Sequence, residues 1–252
     1  MPARSDTLLI IPTYNEAGNI EALISEILEQ RLELDILVID DNSPDGTAAL
    51  AERLAARAPI TVIRREGKLG IGSAHKRRFQ HALERGYPRA ITMDADFSHS
   101  PRYLKDLLAA SEKADMAVGS RYIPGGGLAG WGAIRRCITH TAHWLTTHVL
   151  RVPYDCTGGF RLYRAEVLRA VDFQKIRSEG YAFLIEMIFQ VNRMGFRVAE
   201  VPIVINSRHK GVSKISKREI LKAVATLLRL SITGPIACSP AGDRKTREEL
   251  HV

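Results

Sequence analysis

Short apolar runs alternate with longer amphipathic stretches through the first half of the chain. Residues 7–11, 35–39, 60–63 and 90–93 are mostly apolar and of strand length, and turn formers or charged residues follow them. Between the first two runs, Ile20, Leu23, Ile24, Ile27 and Leu28 recur at helical spacing. Further helices are expected over about 47–58 and 73–85. Strand–helix alternation with connections this short predicts βαβ units and a parallel sheet. Right-handed crossovers then place the carboxyl ends of the strands on one edge. Segments 12–16, 40–45, 67–72 and 94–98 should therefore meet there.

The second half continues the pattern less regularly. A helix is expected from Pro101 to about residue 110, and a strand over 116–119. Pro124-Gly-Gly-Gly127 reads as a mobile loop, with a plain linker as the alternative. A helix over 133–150 carries Arg135, Arg136, His140, His143 and His148; with no adjacent Glu or Cys, its histidines read as solvent-facing or packed rather than metal-binding. Residues 155–161 form a polar turn before a helix from about 165. The next helix, 180–194, holds Glu186 in an apolar stretch, as a buried acid near the reaction centre or as an arginine's partner; position favours the pairing. A final strand is expected over 196–205, followed by a basic segment, 206–218. Over 220–232, Ile220, Leu221, Val224, Leu227, Leu228 and Ile232 fall on one helical face, with Lys217, Arg218, Lys222 and Arg229 nearby. Such a basic amphipathic helix can lie on a membrane or pack on the sheet. The expected domain spans 1–236, including this helix (about 214–232), and residues 237–252 form a charged tail expected to be disordered.

Composition narrows the partners. A chain of 252 residues suits one large α/β domain or two small ones. Its net charge of +8 favours an anionic partner: nucleic acid, an anionic membrane surface or a phosphorylated substrate. Three separated cysteines without CxxC spacing argue against a disulfide framework or zinc site and fit a reduced, cytosolic setting. The first residues lack a signal-peptide core, and no run of ~18 apolar residues occurs, so membrane association is expected to be peripheral.

The chemistry concentrates at Asp94 and Asp96, which end the 90–93 strand one residue apart. Two carboxylates at such a rim suit a divalent cation carrying a diphosphate. A capped strand-to-helix turn is the competing reading. The chain lacks GxxxxGK[ST], GxSxG, and a GxGxxG opening a helix after the first strand, so a Walker loop, a nucleophile elbow and dinucleotide binding are not expected. What remains is a carboxylate pair for a metal, an acidic turn at Asp40 and Asp41, and arginines and lysines in the second half of the chain. That suits an electrophile activated through its diphosphate and an anionic acceptor.

Seven blocks in order carry a resemblance. They are Pro12-Thr-Tyr-Asn-Glu16, Asp40-Asp-Asn-Ser-Pro-Asp-Gly-Thr47, Gly67-Lys-Leu-Gly-Ile-Gly-Ser-Ala74, Met93-Asp-Ala-Asp-Phe-Ser-His-Ser-Pro101, Ser120-Arg-Tyr122, Asp155-Cys-Thr-Gly-Gly-Phe-Arg161 and Arg208-His-Lys-Gly-Val-Ser-Lys214. Together they resemble family 2 glycosyltransferases, and more narrowly dolichyl-phosphate (polyprenyl-phosphate) mannose synthases. The resemblance implies an α/β GT-A fold: one Rossmann-like catalytic domain, a mostly parallel sheet and helices on both faces. It implies mannose transfer from GDP-mannose to dolichyl or polyprenyl phosphate with inversion, using Mg²⁺ or Mn²⁺. On it, Pro12, Tyr14, Glu16, Ile39, Asp41, Asp94, Ala95 and Asp96 resemble the residues that bind the nucleotide sugar. Asp94, Asp96 and Ser98 take the metal positions. Arg121, Arg135, Thr139, Arg208, Lys214 and Lys217 take the phosphate and acceptor positions, with Arg136 an alternative to Arg135. Asp96, Arg121 and Arg208 take the catalytic places. A lipid phosphate is already ionised at neutral pH, so its oxygen needs orientation more than a general base.

Two departures stand out. Ser98 occupies a position where some members carry Gln as a metal ligand, and Gly158 one where Ser is frequent. The membrane anchor that some members carry is not expected here, which resembles a subclass that docks peripherally or through small membrane-anchoring subunits. UDP-glucose or another sugar nucleotide remains an alternative donor, and a catalytically silent scaffold remains a further reading. A nucleic-acid-binding module is a different-class alternative. Aromatics are 6% of residues and are not interleaved with the basic run, so only weak, salt-dependent DNA binding is expected.

Overall fold

The computed structural model describes residues 5–65, 71–206 and 217–233. In chain order it contains β1 (Thr7–Thr13), α1 (Ile20–Glu29), β2 (Asp35–Asp40), α2 (Thr47–Ala55), β3 (Ile60–Arg64), α3 (Ile71–Glu84), β4 (Arg89–Thr92), a 3₁₀ turn (Pro101–Tyr103) and α4 (Leu104–Ala110). Then follow β5 (Met116–Ser120), β6 (Gly127–Leu128), α5 (Ala133–Val149), β7 (Arg161–Arg164), α6 (Ala165–Ala170), α7 (Tyr181–Arg193), β8 (Val198–Pro202), β9 (Val204–Ile205) and α8 (Lys217–Thr233). Seven strands form one sheet in the order β3-β2-β1-β4-β7-β5-β8, while β6 and β9 pair separately.

Alternation along β1 sets the layers. Leu9 and Ile11 join a core with Ile20, Leu23, Ile24 and Ile27 of α1 on one face. Leu8 and Ile10 join Phe79 of α3 and Phe183 and Met187 of α7 on the other. The sheet is parallel except for β7, which runs antiparallel to β4 and β5. Strand order reverses at β1/β4, the switch point beside which open α/β sheets bind ligands.

Three expectations change. The strand expected over 196–205 divides at Ile203, whose N–H reaches the Ser120 carbonyl at 2.9 Å while its own carbonyl accepts from Gly127. The chain thus passes from the main sheet to the β6–β9 pair. A strand, β7, occupies Arg161–Arg164 where only a turn leading to a helix was expected. The triple-glycine segment is pinned rather than mobile: Gly127 and Leu128 pair with Val204 and Ile205. A Cβ on Gly126 would lie 2.5 Å from the Ser120 oxygen. Gly126→Ala should therefore cost about 1–3 kcal/mol and lower turnover by displacing the neighbouring Arg121. Equal melting temperature and turnover in that variant would contradict this packing.

Glu186 is fully buried, and the arginine pairing holds. Arg229 of α8 donates to it twice, at 2.7 and 3.1 Å, and the Ser178 N–H adds a bond at 2.9 Å. Burial opposes the charge of Glu186, but the Arg229 and Ser178 bonds hold its pKa below the usual range. Thr226, Leu227 and Leu230 of α8 are buried, whereas Leu221, Val224, Leu228 and Ile232 are exposed. The single apolar face expected for this helix is thus divided between protein and solvent. Arg229→Met leaves Glu186 uncompensated and should cost about 2 kcal/mol, discounted for the partial exposure of Arg229. Faster amide exchange in α8 should accompany that loss; unchanged exchange and stability would argue against the anchor.

Candidate active site

The parallel strands β1, β2 and β4 deliver their turns to one rim, where segments 12–16, 40–45 and 94–98 meet as expected. Residues 66–70 of the expected glycine-rich loop lie outside the described residues. Asn15, Asn42 and Phe97, one on each of these turns, have φ of 56°, 58° and 61°. Non-glycine residues pay strain in that region, and such strain gathers at functional sites.

Each turn is fixed by its own polar contacts. Asp40 points inward, accepting from Thr13 Oγ1 at 2.9 Å, Ser43 Oγ at 2.6 Å and the Ser43 N–H at 2.8 Å. Its neighbour Asp41 stays at the rim, paired with Arg65 at 2.8 Å. Glu16 is buried and accepts from Asn19 Nδ2 at 2.8 Å, while its N–H donates to Thr47 Oγ1 at 2.9 Å. Pro12 and Tyr14 are partly exposed beside it. Ile39 is buried, and with Ile63 and Arg65 it walls a cleft of about 280 Å³ that α3 closes through Arg77, Gln80, His81 and Glu84.

The acidic pair splits by environment. The Asp94 side chain is 48% exposed, whereas Asp96 is buried. The Ser98 N–H donates to Asp96 Oδ1 at 3.0 Å, so the observed link from Ser98 to Asp96 runs through its backbone. Ala95 between them is buried in the core. His99 is buried, stacked on Phe160 at 5.2 Å, and its Nδ1 accepts the Asp94 N–H at 3.4 Å. Burial holds the His99 pKa down, against the pull of Asp94 and Asp96. Among the described residues no set of three His, Cys, Asp or Glu side chains gathers for a metal. Two oxygen ligands at an open rim fit a hard divalent cation that takes further ligands from a substrate diphosphate.

Opposite the acids, Arg121 is buried and bound to the fully buried Asp155. Its Nε and Nη2 donate to the two carboxylate oxygens at 2.7 and 2.6 Å, and Nη2 also donates to Thr157 Oγ1. Burial opposes charge on Asp155, but the Arg121 guanidinium brings its pKa down to about 2. Asp155 is not among the expected site residues, because a lone Asp in a polar turn does not announce a buried partner. The N–H groups of Thr157 and Gly158 also converge on Asp155 Oδ1, each at 3.1 Å. Fully buried Arg161 donates to the Cys156 carbonyl at 2.7 Å and the Leu184 carbonyl at 2.8 Å, fastening this turn to α7. The turn reaches the acids through Gly159, whose carbonyl accepts from Thr92 Oγ1 at 2.6 Å. A Cβ on Gly159 would stand 3.6 Å from Asp94 Oδ1.

Helix α5 is held beside Arg121 by Tyr122, whose hydroxyl donates to the Thr139 carbonyl at 3.0 Å and whose ring stacks on His143 at 3.8 Å. Arg135 lies 3.6 Å over the Trp131 ring, and Arg136 is exposed. His148 stacks on Trp144, so the α5 histidines are packed or exposed as expected. Arg208 and Lys214 lie outside the described residues, and Lys217 is placed as the first residue of α8.

Residues 8–172 match the sequence model of Glycosyl transferase family 2. The chain belongs to this family. A polyprenol monophosphomannose synthase of Mycolicibacterium smegmatis is 41% identical over 232 residues, covering 90% of this chain and 88% of the relative. An undecaprenyl-phosphate mannosyltransferase of Micrococcus luteus is 41% identical over 224 residues, covering 88% and 92%. Among solved structures, the glucosyl-3-phosphoglycerate synthase of Mycobacterium tuberculosis bound to Mn²⁺, UDP-glucose and phosphoglyceric acid superposes with a TM-score of 0.67 at 19% identity, covering 93% of this chain and 82% of that one. The fold of this glycosyltransferase is GT-A: a single α/β domain around a mostly parallel seven-stranded sheet. Among its described residues no helix is long and apolar enough to cross a membrane.

Proposed function

We propose that this glycosyltransferase transfers mannose from GDP-mannose to a dolichyl or polyprenyl phosphate, with inversion at the anomeric carbon. The observation that carries this reading is the placement of open Asp94 and buried Asp96 just after β4, beside the switch point between β1 and β4. The two mannosyl-transferring relatives supply the sugar and the class of acceptor. Pro12, Tyr14, Glu16, Ile39, Asp41 and Ala95 would surround the nucleotide. Asp94 and Asp96, with Ser98 beside them, would hold Mg²⁺ or Mn²⁺, which when bound supplies positive charge to the departing diphosphate.

The remaining work falls to fixed side chains. Asp155 takes the Nε–Nη2 edge of Arg121, so only the rest of that guanidinium is left for a phosphate. Arg135, Thr139, Arg208, Lys214 and Lys217 would orient the acceptor phosphate, whose oxygen attacks the anomeric carbon without a general base. The exposed stripe of Leu221, Val224, Leu228 and Ile232, with Lys222 also on the solvent side, would rest on the cytosolic face of an anionic membrane, alone or with small anchoring subunits. Vesicles rich in anionic lipid should retain the protein in a salt-dependent way, and Leu228→Glu with Ile232→Glu should release it. Retention of the double variant at wild-type levels would contradict this orientation.

The deciding experiment incubates purified protein, Mg²⁺ or Mn²⁺ and a polyprenyl phosphate with radiolabelled GDP-mannose or UDP-glucose. Lipid-extractable label is expected from GDP-mannose. Label from UDP-glucose alone would change the donor, and none from either would refute the reading.

A further inference from the structure

The Arg121–Asp155 pair is braced by a second acid that the expected residues do not include. Glu200 lies on β8, in register with Val118 of β5, three residues before Arg121. Its neighbour Val201 joins the core on the α1 side of the sheet. Strand alternation therefore turns Glu200 to the other face, where Val118, Val152 and Cys156 are buried. The segment that leads into the 155–159 turn passes over that face.

The contact there is direct. The Asp155 N–H donates to Glu200 Oε1 at 3.0 Å. From the other side, Arg161 Nη2 donates to the Asp155 carbonyl at 3.3 Å. The backbone of Asp155 is thus held between a carboxylate and a guanidinium. Its side chain in turn holds Arg121 by the two short bonds from Nε and Nη2, and accepts the Arg121 N–H at 3.4 Å.

This is an unfavourable place for an acid. Burial pushes the Glu200 pKa up, and the negative charge of Asp155 adds to the rise, while the Ser120 hydroxyl and the Asp155 N–H resist it by donating to the carboxylate. A neutral oxygen would satisfy a backbone N–H at lower electrostatic cost. What the carboxylate adds is a charge-assisted bond, roughly twice as strong as a neutral one, and hence a more tightly fixed Asp155.

We propose that Glu200 is a positioning residue for the transfer step: it fixes the backbone of Asp155 and so sets where Arg121 presents the rest of its guanidinium to a phosphate. This rests on the proposed transfer reaction and adds to it the group that aims Arg121. Aim matters because a displacement of about 1 Å at a reacting centre can cost about 10²-fold in rate.

Steady-state kinetics on wild type, Glu200→Gln and Glu200→Met test this, each protein first checked by a thermal melt. Rates are measured with Mn²⁺, a polyprenyl phosphate and radiolabelled GDP-mannose, or UDP-glucose if that donor alone gives label. Glu200→Met, which removes the acceptor and keeps the volume, should lose at least about tenfold in kcat. Its KM for the sugar nucleotide should stay within about twofold of wild type, because the turns at 12–16, 40–45 and 94–98 are untouched. Glu200→Gln keeps a neutral oxygen for the Asp155 N–H and should retain at least about a third of the wild-type kcat. A merely structural glutamate would lower the melting temperature and leave kcat of the folded protein alone. A folded Glu200→Met with kcat within twofold of wild type, a rise in KM without a fall in kcat, or a Glu200→Gln as slow as Glu200→Met would each overturn the proposal. If Glu200→Met does not fold, Glu200→Asp replaces it: its carboxylate falls one methylene short of Asp155, and an unchanged kcat overturns the proposal. Wild type that labels no lipid from either donor would remove the transfer reaction itself, whereas transfer indifferent to Glu200 would remove only this inference.

Discussion

Asp96→Ala should lower mannosyl transfer by at least about 10²–10³-fold while leaving a folded protein, since a single preorganised electrostatic contact at a transfer site is worth that much. Asp96 is buried and held by the Ser98 N–H, with Phe97 at φ 61° between them. Its carboxylate is therefore aimed by the backbone and cannot be replaced by a neighbour swinging in. Asp94 is more exposed, and it is its backbone N–H that donates to His99 Nδ1. Losing Asp96 leaves that one open carboxylate to hold a divalent cation, so the concentration of Mn²⁺ giving half-maximal turnover should also rise. Asp96→Asn keeps an oxygen for the Ser98 N–H and removes the charge. It should match Asp96→Ala in turnover and wild type in melting temperature. Radiolabel transfer and thermal melts on the three proteins decide the point: turnover within tenfold of wild type in either variant rules out the assigned role.

The strand ends that make this rim were legible because each is a short apolar run closed by Asp, Asn, Pro or Ser, and parallel topology leaves their carboxyl ends one place to go. The antiparallel strand β7 was not legible. Arg161-Leu-Tyr-Arg164 is four residues long with charged ends, and its burial comes from β4 and β5 on either side. Asp155 was hidden for a related reason. Nothing local distinguishes an aspartate in a glycine turn from a buried counter-ion, and its partner lies 34 residues earlier. Arg78 sits in His75-Lys-Arg-Arg78, which reads as a solvated helix face until the fold turns Arg78 inward. Glu186 was readable as one half of a pair, but the choice of Arg229 needed the docking of α8. What sequence conveys here is the backbone of the site; what it withholds are contacts between segments far apart in the chain.

Asp155→Asn should be among the most destabilising single changes outside the hydrophobic cores, costing about 3–5 kcal/mol. Asp155 is fully buried and the Arg121 side chain nearly so, and the pair is joined by two short hydrogen bonds. Neutralising the acid leaves a guanidinium in a dry site with an amide for company. The melting temperature should drop by roughly 10 °C for a protein of this size. The wild-type pair also has a pH signature. The folded pKa of Asp155 is about 2 against an ordinary 3.8, so the unfolded chain binds the proton more readily. The resulting stability, about 2 kcal/mol, is fully present above pH 3.8 and is lost as pH falls toward 2. Urea denaturation between pH 2 and pH 6 should show that loss in wild type and a shallower one in Asp155→Asn. Arg121 then ceases to be held against the 155–159 turn, and turnover should fall even where the variant remains folded. Replacing the pair together, Arg121→Met with Asp155→Asn, removes both charges, keeps an oxygen for the Thr157 and Gly158 N–H groups, and should recover much of the stability without recovering turnover. That combination separates the structural contribution of the pair from its part in glycosyl transfer: a double variant as active as wild type would show that Arg121 serves the fold alone.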